Sequence, residues 1–193
     1  MTFMDKHTVA THQAADEGWL KRYYFARAAF SICWVIAVLT VASLSAVASA
    51  VLLVAYPAWD ALANVADGRR SGGLGANRTQ LLNVVVSLAV ALALAISLPD
   101  MHRVLAVFGA WAILSGLLQL GTAVRRWKSF GAQWAMVLSG AQSALAGAVF
   151  IGQARMPAEP TIATVAGYAG FGAFYFLVSA LLLQFRPPRS RAG

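Results

Sequence analysis

The chain has one cysteine, three histidines and seven acidic residues in 193, and each scarcity removes a class of protein. Cys33 lies inside an apolar run without a partner in its own chain, which excludes a disulfide framework. His7 and His12 would need a third ligand to hold a metal, so they read as solvated residues of the N-terminal segment. Charged residues make up 11% of the chain, against roughly 25% in an ordinary soluble domain. That is too few to cover a water-facing surface. The glycine-rich stretch from Gly68 to Gly75 lacks the Lys-Ser/Thr ending and strand-turn-helix setting of a phosphate loop, and reads as a flexible basic loop at the lipid surface. With no catalytic, metal or nucleotide motif, the sequence points to a non-enzymatic protein without cofactors.

Hydrophobic residues make up 60% of the chain, and the mean hydropathy is +0.67. Apolar surface must therefore face lipid. The net charge of +8 would suggest nucleic acid on a soluble surface, but the Lys and Arg residues stand between apolar stretches. There they act as topology signals and as contacts for anionic headgroups, so membrane lipid is the expected partner and nucleic acid is not.

A bilayer core of about 30 Å needs roughly 20 apolar residues per helical crossing. Four spans are plain, near 79–98, 103–124, 132–152 and 162–185. The region from Tyr24 to Ala66 has no glycine and reads as one long helix or two. Charge decides between them. A single helix there, five in all, divides the Lys and Arg six against nine between the two sides, whereas two helices divide them thirteen against two. The expected fold is an all-α membrane protein of six transmembrane helices in three hairpins, 24–66, 79–124 and 132–185, with both termini cytoplasmic. Residues 1–23 form a mobile tail and 187–193 a short basic one. The first turn falls near Ser43 to Ser45, and Pro57 lies inside the second helix. Ala48-Ser49-Ala50 loosely imitates a signal-peptide cleavage site, but the polar lead before it is long and mixed in charge. Trp19, Tyr23, Tyr24, Trp127 and Trp134 read as interfacial anchors.

The hairpins begin near 24, 79 and 132, a repeat of about 55 residues. Their second helices share an aromatic followed four residues later by a small polar group: Tyr56 and Asp60, Trp111 and Ser115, Tyr175 and Ser179. Arg recurs just past each of them. The segments Gly109-Ala110-Trp111 through Gly116, Arg125 through Trp134 to Gly140, and Gly167 through Gly172 give the chain, over residues 22–186, a resemblance to the HdeD-like family of small six-span bacterial membrane proteins. The resemblance implies an inner-membrane location and, for the typifying member, a link to acid resistance. It implies no reaction and no ligand, and Pro57 departs from the family pattern.

Rows of small residues (Ala112 and Gly116; Ser139, Ser143 and Gly147; Gly140, Ala144 and Ala148; Ala166 and Gly170) suit close helix packing, within the chain or against a second copy. Polar groups gather toward the cytoplasmic ends of the spans: Arg27, Asp60, Asn64, Gln80, Asn83, Ser115, Gln119, Thr122 and Gln133. They read as interhelical glue or as the lining of a cytoplasm-facing cavity, with no polar path to the far side. Asp60 is the one carboxylate committed to a span. A proton relay would show ionisable groups at several depths, and only Arg27 and Asp60 qualify. Hairpin arithmetic sets Arg27 level with the segment between Asp60 and Asn64 and predicts a buried ion pair. His102, beside Asp100 on the exported side, is a lone loop imidazole, more simply exposed than a pH sensor.

Two functions follow. The first is a structural or stress-related role through contacts with lipid, another copy or another membrane protein. The second is small-solute or proton transport through a site around Asp60. A water-accessible cavity reaching Asp60 favours transport, and tight packing there favours the structural role.

Overall fold

Six apolar runs become six helices: α1 Lys6–Val41, α2 Ala46–Arg70, α3 Arg78–Ser97, α4 Met101–Arg126, α5 Gln133–Gln153 and α6 Ile162–Gln184. They are seen in a computed structural model that describes residues 6–70, 72–126 and 133–185, with side chains from residue 18 onward except at 122, 125–126 and 133–136. Residues 127–128, with the anchor Trp127, and 186–191 lie outside the described residues, as do the side chains of His7, His12, Thr122, Arg125, Arg126, Gln133 and the anchor Trp134. No strand occurs among those described.

Among the described residues, five helices are long and apolar enough to cross a membrane, and α5 adds a shorter apolar stretch, Val137–Gln153. At 1.5 Å per residue the 21 residues of α5 reach about 31 Å, the thickness of a bilayer core. Between 22% and 39% of each long span is buried in the bundle. The remainder includes Leu39, Val47, Ile96, Leu117 and Phe174, exposed side chains that water would penalise and lipid accepts. The protein is a six-helix membrane protein.

The first turn falls where the sequence places it. One 3₁₀ turn, Ala42–Leu44, is followed by extended Ser45. Hydroxyls replace the missing Gly and Pro: Ser45 Oγ accepts the Ala48 N–H at 3.3 Å, and Ser49 Oγ donates to Ala42 O at 2.8 Å. Pro57 lies inside α2 and is buried. Its ring removes the amide that would bond Leu53 O, and one residue earlier Leu52 O takes the Trp34 indole N–H at 2.7 Å, which braces α2 against α1. α1 begins at Lys6, so from there the segment read as a tail is helical, while the apolar span itself begins at Gly18. Residues 6–17 contain neither Gly nor Pro, and a helix nucleated in the span propagates through them cheaply.

The closest helix contacts lie between hairpins: α2 packs on α3, α4 on α5, and α6 on α1, closing a ring. The α4–α5 contact is the tightest because glycines face each other across it. A Cβ at Gly116 would lie 2.4 Å from Gly140 O, and one at Gly147 would lie 2.4 Å from Gly109 O. These small residues serve packing within the chain.

At the end of the bundle where α1–α2, α3–α4 and α5–α6 turn, all six helices contribute to a dry core of Trp34, Leu53, Leu94, Val104, Leu105, Phe108, Phe150 and Val165. At the opposite end, where α1 begins and α6 finishes, the interior is polar.

Candidate functional site: a polar cavity closed on one side

α1 and α2 run antiparallel from the turn at Ala42–Leu44, and this brings Arg27 onto Asp60. The predicted ion pair is formed. Arg27 Nη2 donates to Asp60 Oδ1, with the two side chains 15% and 16% exposed. Arg27 Nη1 donates to Tyr23 Oη at 2.9 Å, and the guanidinium lies 4.4 Å from the centre of the Phe176 ring on α6. The other Asp60 oxygen, Oδ2, accepts from Asn64 Nδ2 at 3.0 Å and from Ser87 Oγ on α3 at 2.8 Å. A carboxylate at this depth is tolerated because each oxygen has a donor. Four helices meet at the pair.

Beside it lies a cavity of about 100 Å³. α1 contributes Arg27 and Ser31, and α2 contributes Tyr56, Trp59 and Asp60. α4 adds Trp111, Ser115 and Gln119. α5 adds Ser139, Gln142 and Ser143, and α6 adds Tyr168, Phe171, Gly172, Tyr175 and Phe176. Toward the dry core the cavity has an aromatic floor. Tyr56 lies 4.8 Å from Trp34 and edge-on to Trp111 at 5.9 Å, and Trp111 is edge-on to Phe108 at 5.8 Å, centre to centre. The cavity is thus walled off from the turn-bearing end.

Of the six residues singled out from sequence, Arg27, Asp60 and Asn64 are joined directly, and Ser115 and Gln119 line the same cavity as the pair. Asn83 does not join them: α3 contributes nothing to the lining and reaches the pair through Ser87 instead. Sequence reasoning missed Ser31, Ser87, Gln142 and Tyr168, and took Ser143 for packing alone. A signal exists for all of them but Gln142. Ser31, Ser87 and Ser143 follow one another at intervals of 56 residues, and all three are buried. Ser31 and Tyr56 hydroxyls lie 3.5 Å apart, Ser143 and Tyr168 hydroxyls 2.7 Å apart, and both pairs are separated by 25 residues in sequence. Tyr56 and Tyr168 thus hold the same position relative to a buried serine, whereas Tyr175 lines the cavity without such a serine contact. Twenty-five residues after Ser87 stands Ala112, and Ser87 donates to Asp60 instead.

His102 Nδ1 lies 3.2 Å from Ala154 O, linking the start of α4 to the end of α5 at the turn-bearing end, far from the cavity. Gln80 Nε2 donates to Asp67 Oδ2 at 2.8 Å and ties α2 to α3 outside the cavity lining. No group of His, Cys, Asp and Glu among the described residues could hold a metal. The chain matches no protein-family model, no curated protein and no solved structure.

Proposed function

We propose that this membrane protein is a small-solute binder of the transporter class, with the cavity beside Arg27 and Asp60 as its site. The observation that carries this reading is the one-sided cavity: polar groups from five helices enclose about 100 Å³ at one end of the bundle, and an apolar core closes the other. A purely structural or stress-related role needs tight packing at this depth, and open volume beside a buried ion pair runs against it. The closed far side argues for binding followed by a conformational step, and against a standing pore.

Membership of the HdeD-like family, the bacterial inner membrane and cytoplasmic termini are part of the same proposal. The excess of Lys and Arg on the terminus-bearing side supports the orientation, and on that orientation the cavity faces the cytoplasm. The 56-residue serine spacing supports three hairpins descended from one, related about an axis along the membrane normal. Lipid is the proposed partner, with a second copy or another membrane protein as further candidates. No bond-making chemistry is assigned to the site.

Gly172 lines the cavity, and a Cβ there meets Tyr56 Oη at an ordinary 3.5 Å. Gly172→Leu should therefore fill the cavity while leaving α6 in place. Proteoliposomes of the native chain should take up small solutes faster than protein-free vesicles, and Gly172→Leu should abolish the difference. Equal uptake by the native and Gly172→Leu proteins would remove the cavity from the account.

A further inference from the structure

We infer that the cavity selects a small uncharged solute bearing both hydrogen-bond donors and acceptors, because its charged groups are engaged with each other while the side chains left free are neutral. This rests on reading the cavity as a solute site and adds the class of solute.

The charged inventory is closed. Asp60 has Arg27 on one oxygen and Asn64 with Ser87 on the other. Arg27 has Asp60, Tyr23 and the face of Phe176, and although its Nε lacks an acceptor its charge is balanced. A cation would find no uncommitted carboxylate, and an anion would find no uncompensated cation. Either would enter the low-dielectric interior unpaired, the costly case.

The neutral inventory is open. Among the described residues, the side chains of Ser115, Gln119, Ser139 and Gln142 line the cavity without a hydrogen bond to the rest of the protein. Trp111, 4% exposed, has an indole N–H with no acceptor. Hydroxyls and amides both donate and accept, so this lining suits a molecule that does the same. Ser143 is not part of the offer, since it donates to Ala112 O at 3.0 Å and pairs with Tyr168. The volume limits size: about 100 Å³ corresponds to about three waters, hence a solute on the order of four to six non-hydrogen atoms. The aromatic floor offers ring faces to its C–H groups. Short polyols and simple amides meet all these conditions.

The test uses the full chain in lipid nanodiscs with ¹⁵N-labelled tryptophan, following the indole N–H resonances of Trp59 and Trp111, assigned by Trp→Phe substitution. Acetamide and glycerol serve as neutral probes, sodium acetate and sodium chloride as anions, methylammonium as the cation. The expected result is a saturable shift with acetamide or glycerol and none with the ions at matched ionic strength. Ser115→Ala and Gln142→Leu, which leave the ion pair intact, should each weaken neutral-probe binding roughly three- to tenfold. Asp60→Asn, which leaves Arg27 uncompensated, should admit acetate. Saturation of the native protein by acetate, chloride or methylammonium, or neutral binding unaffected by both Ser115→Ala and Gln142→Leu, would overturn the solute class while leaving a solute site. No saturable shift with any probe would overturn the class and the site together.

Discussion

Ser87 on α3 donates to Asp60 Oδ2 on α2 at 2.8 Å from a position 1% exposed to solvent. Through this bond a helix that does not line the cavity reaches the cavity's ion pair. The carboxylate is thereby fixed from three directions, by α1 through Arg27, by its own helix through Asn64 and by α3 through Ser87. The cavity wall beside it keeps its shape because the charge cannot turn away.

Breaking the pair from one side should be costly. Asp60→Asn or Arg27→Leu should each destabilise the protein by roughly 3–5 kcal/mol, because the partner is left charged at low exposure. Removing both should cost less than the sum of the two. Ser87→Ala, which deletes one neutral donor, should cost about 1 kcal/mol. Equilibrium unfolding in mixed micelles measures all four. Additive losses in the double variant would mean that the two side chains do not act as a unit.

Packing between α4 and α5 should resist even one methyl group. Gly116→Ala sets a Cβ against Gly140 O and the Ala144 backbone and should destabilise by roughly 1–3 kcal/mol as the helices separate. Gly121→Ala, in the same helix with nothing within 4 Å, should be neutral or stabilise by up to about 1 kcal/mol through helix propensity. Thermal denaturation in detergent separates the two outcomes.

Cys33 is exposed on a span and has no disulfide partner. The native protein should react slowly with charged maleimides and readily with a membrane-permeant one, and Cys33→Ala should fold unchanged. Fast labelling by the charged reagent would move this face of α1 out of lipid.

A topology experiment checks the helix count independently. Reporters fused after Gly193 and inserted near Gly72 should lie on the same, cytoplasmic face. Reporters on opposite faces would restore a five-span chain.

Much of the fold could be read from the sequence because the governing forces there are one-dimensional. Run length fixes the spans, and the side on which Lys and Arg fall fixes their number. Even the Ser43 to Ser45 turn follows, since without it the charges do not sort. The Arg27–Asp60 pair followed because two antiparallel helices with a known turn have a known register. What escaped depends on which faces meet around a ring. The packing of α6 on α1 closes the bundle and brings Tyr168, Phe171 and Tyr175 to residues more than a hundred positions earlier, and no local pattern reports that. Residues four apart share a helix face, so Asn83 and Ser87 differ in depth by about one turn, and it is the buried Ser87 that is level with the Asp60 carboxylate. Counting polar groups near the cytoplasmic ends does not resolve depth to a single turn. The serine spacing was present in the sequence but lay among many alanines and glycines that look equally like packing.

The central claim is a polar cavity accessible from one side, and substituted-cysteine accessibility tests it most directly. In a Cys33→Ala background, Ser115→Cys and Ser139→Cys should react with a small water-soluble thiosulfonate added to the terminus-bearing face. Leu94→Cys and Val104→Cys, in the dry core, should react from neither face. Adding Gly172→Leu should slow labelling at 115 and 139 without unfolding the protein. Reaction at 94 or 104, or protection at both 115 and 139, would contradict the account.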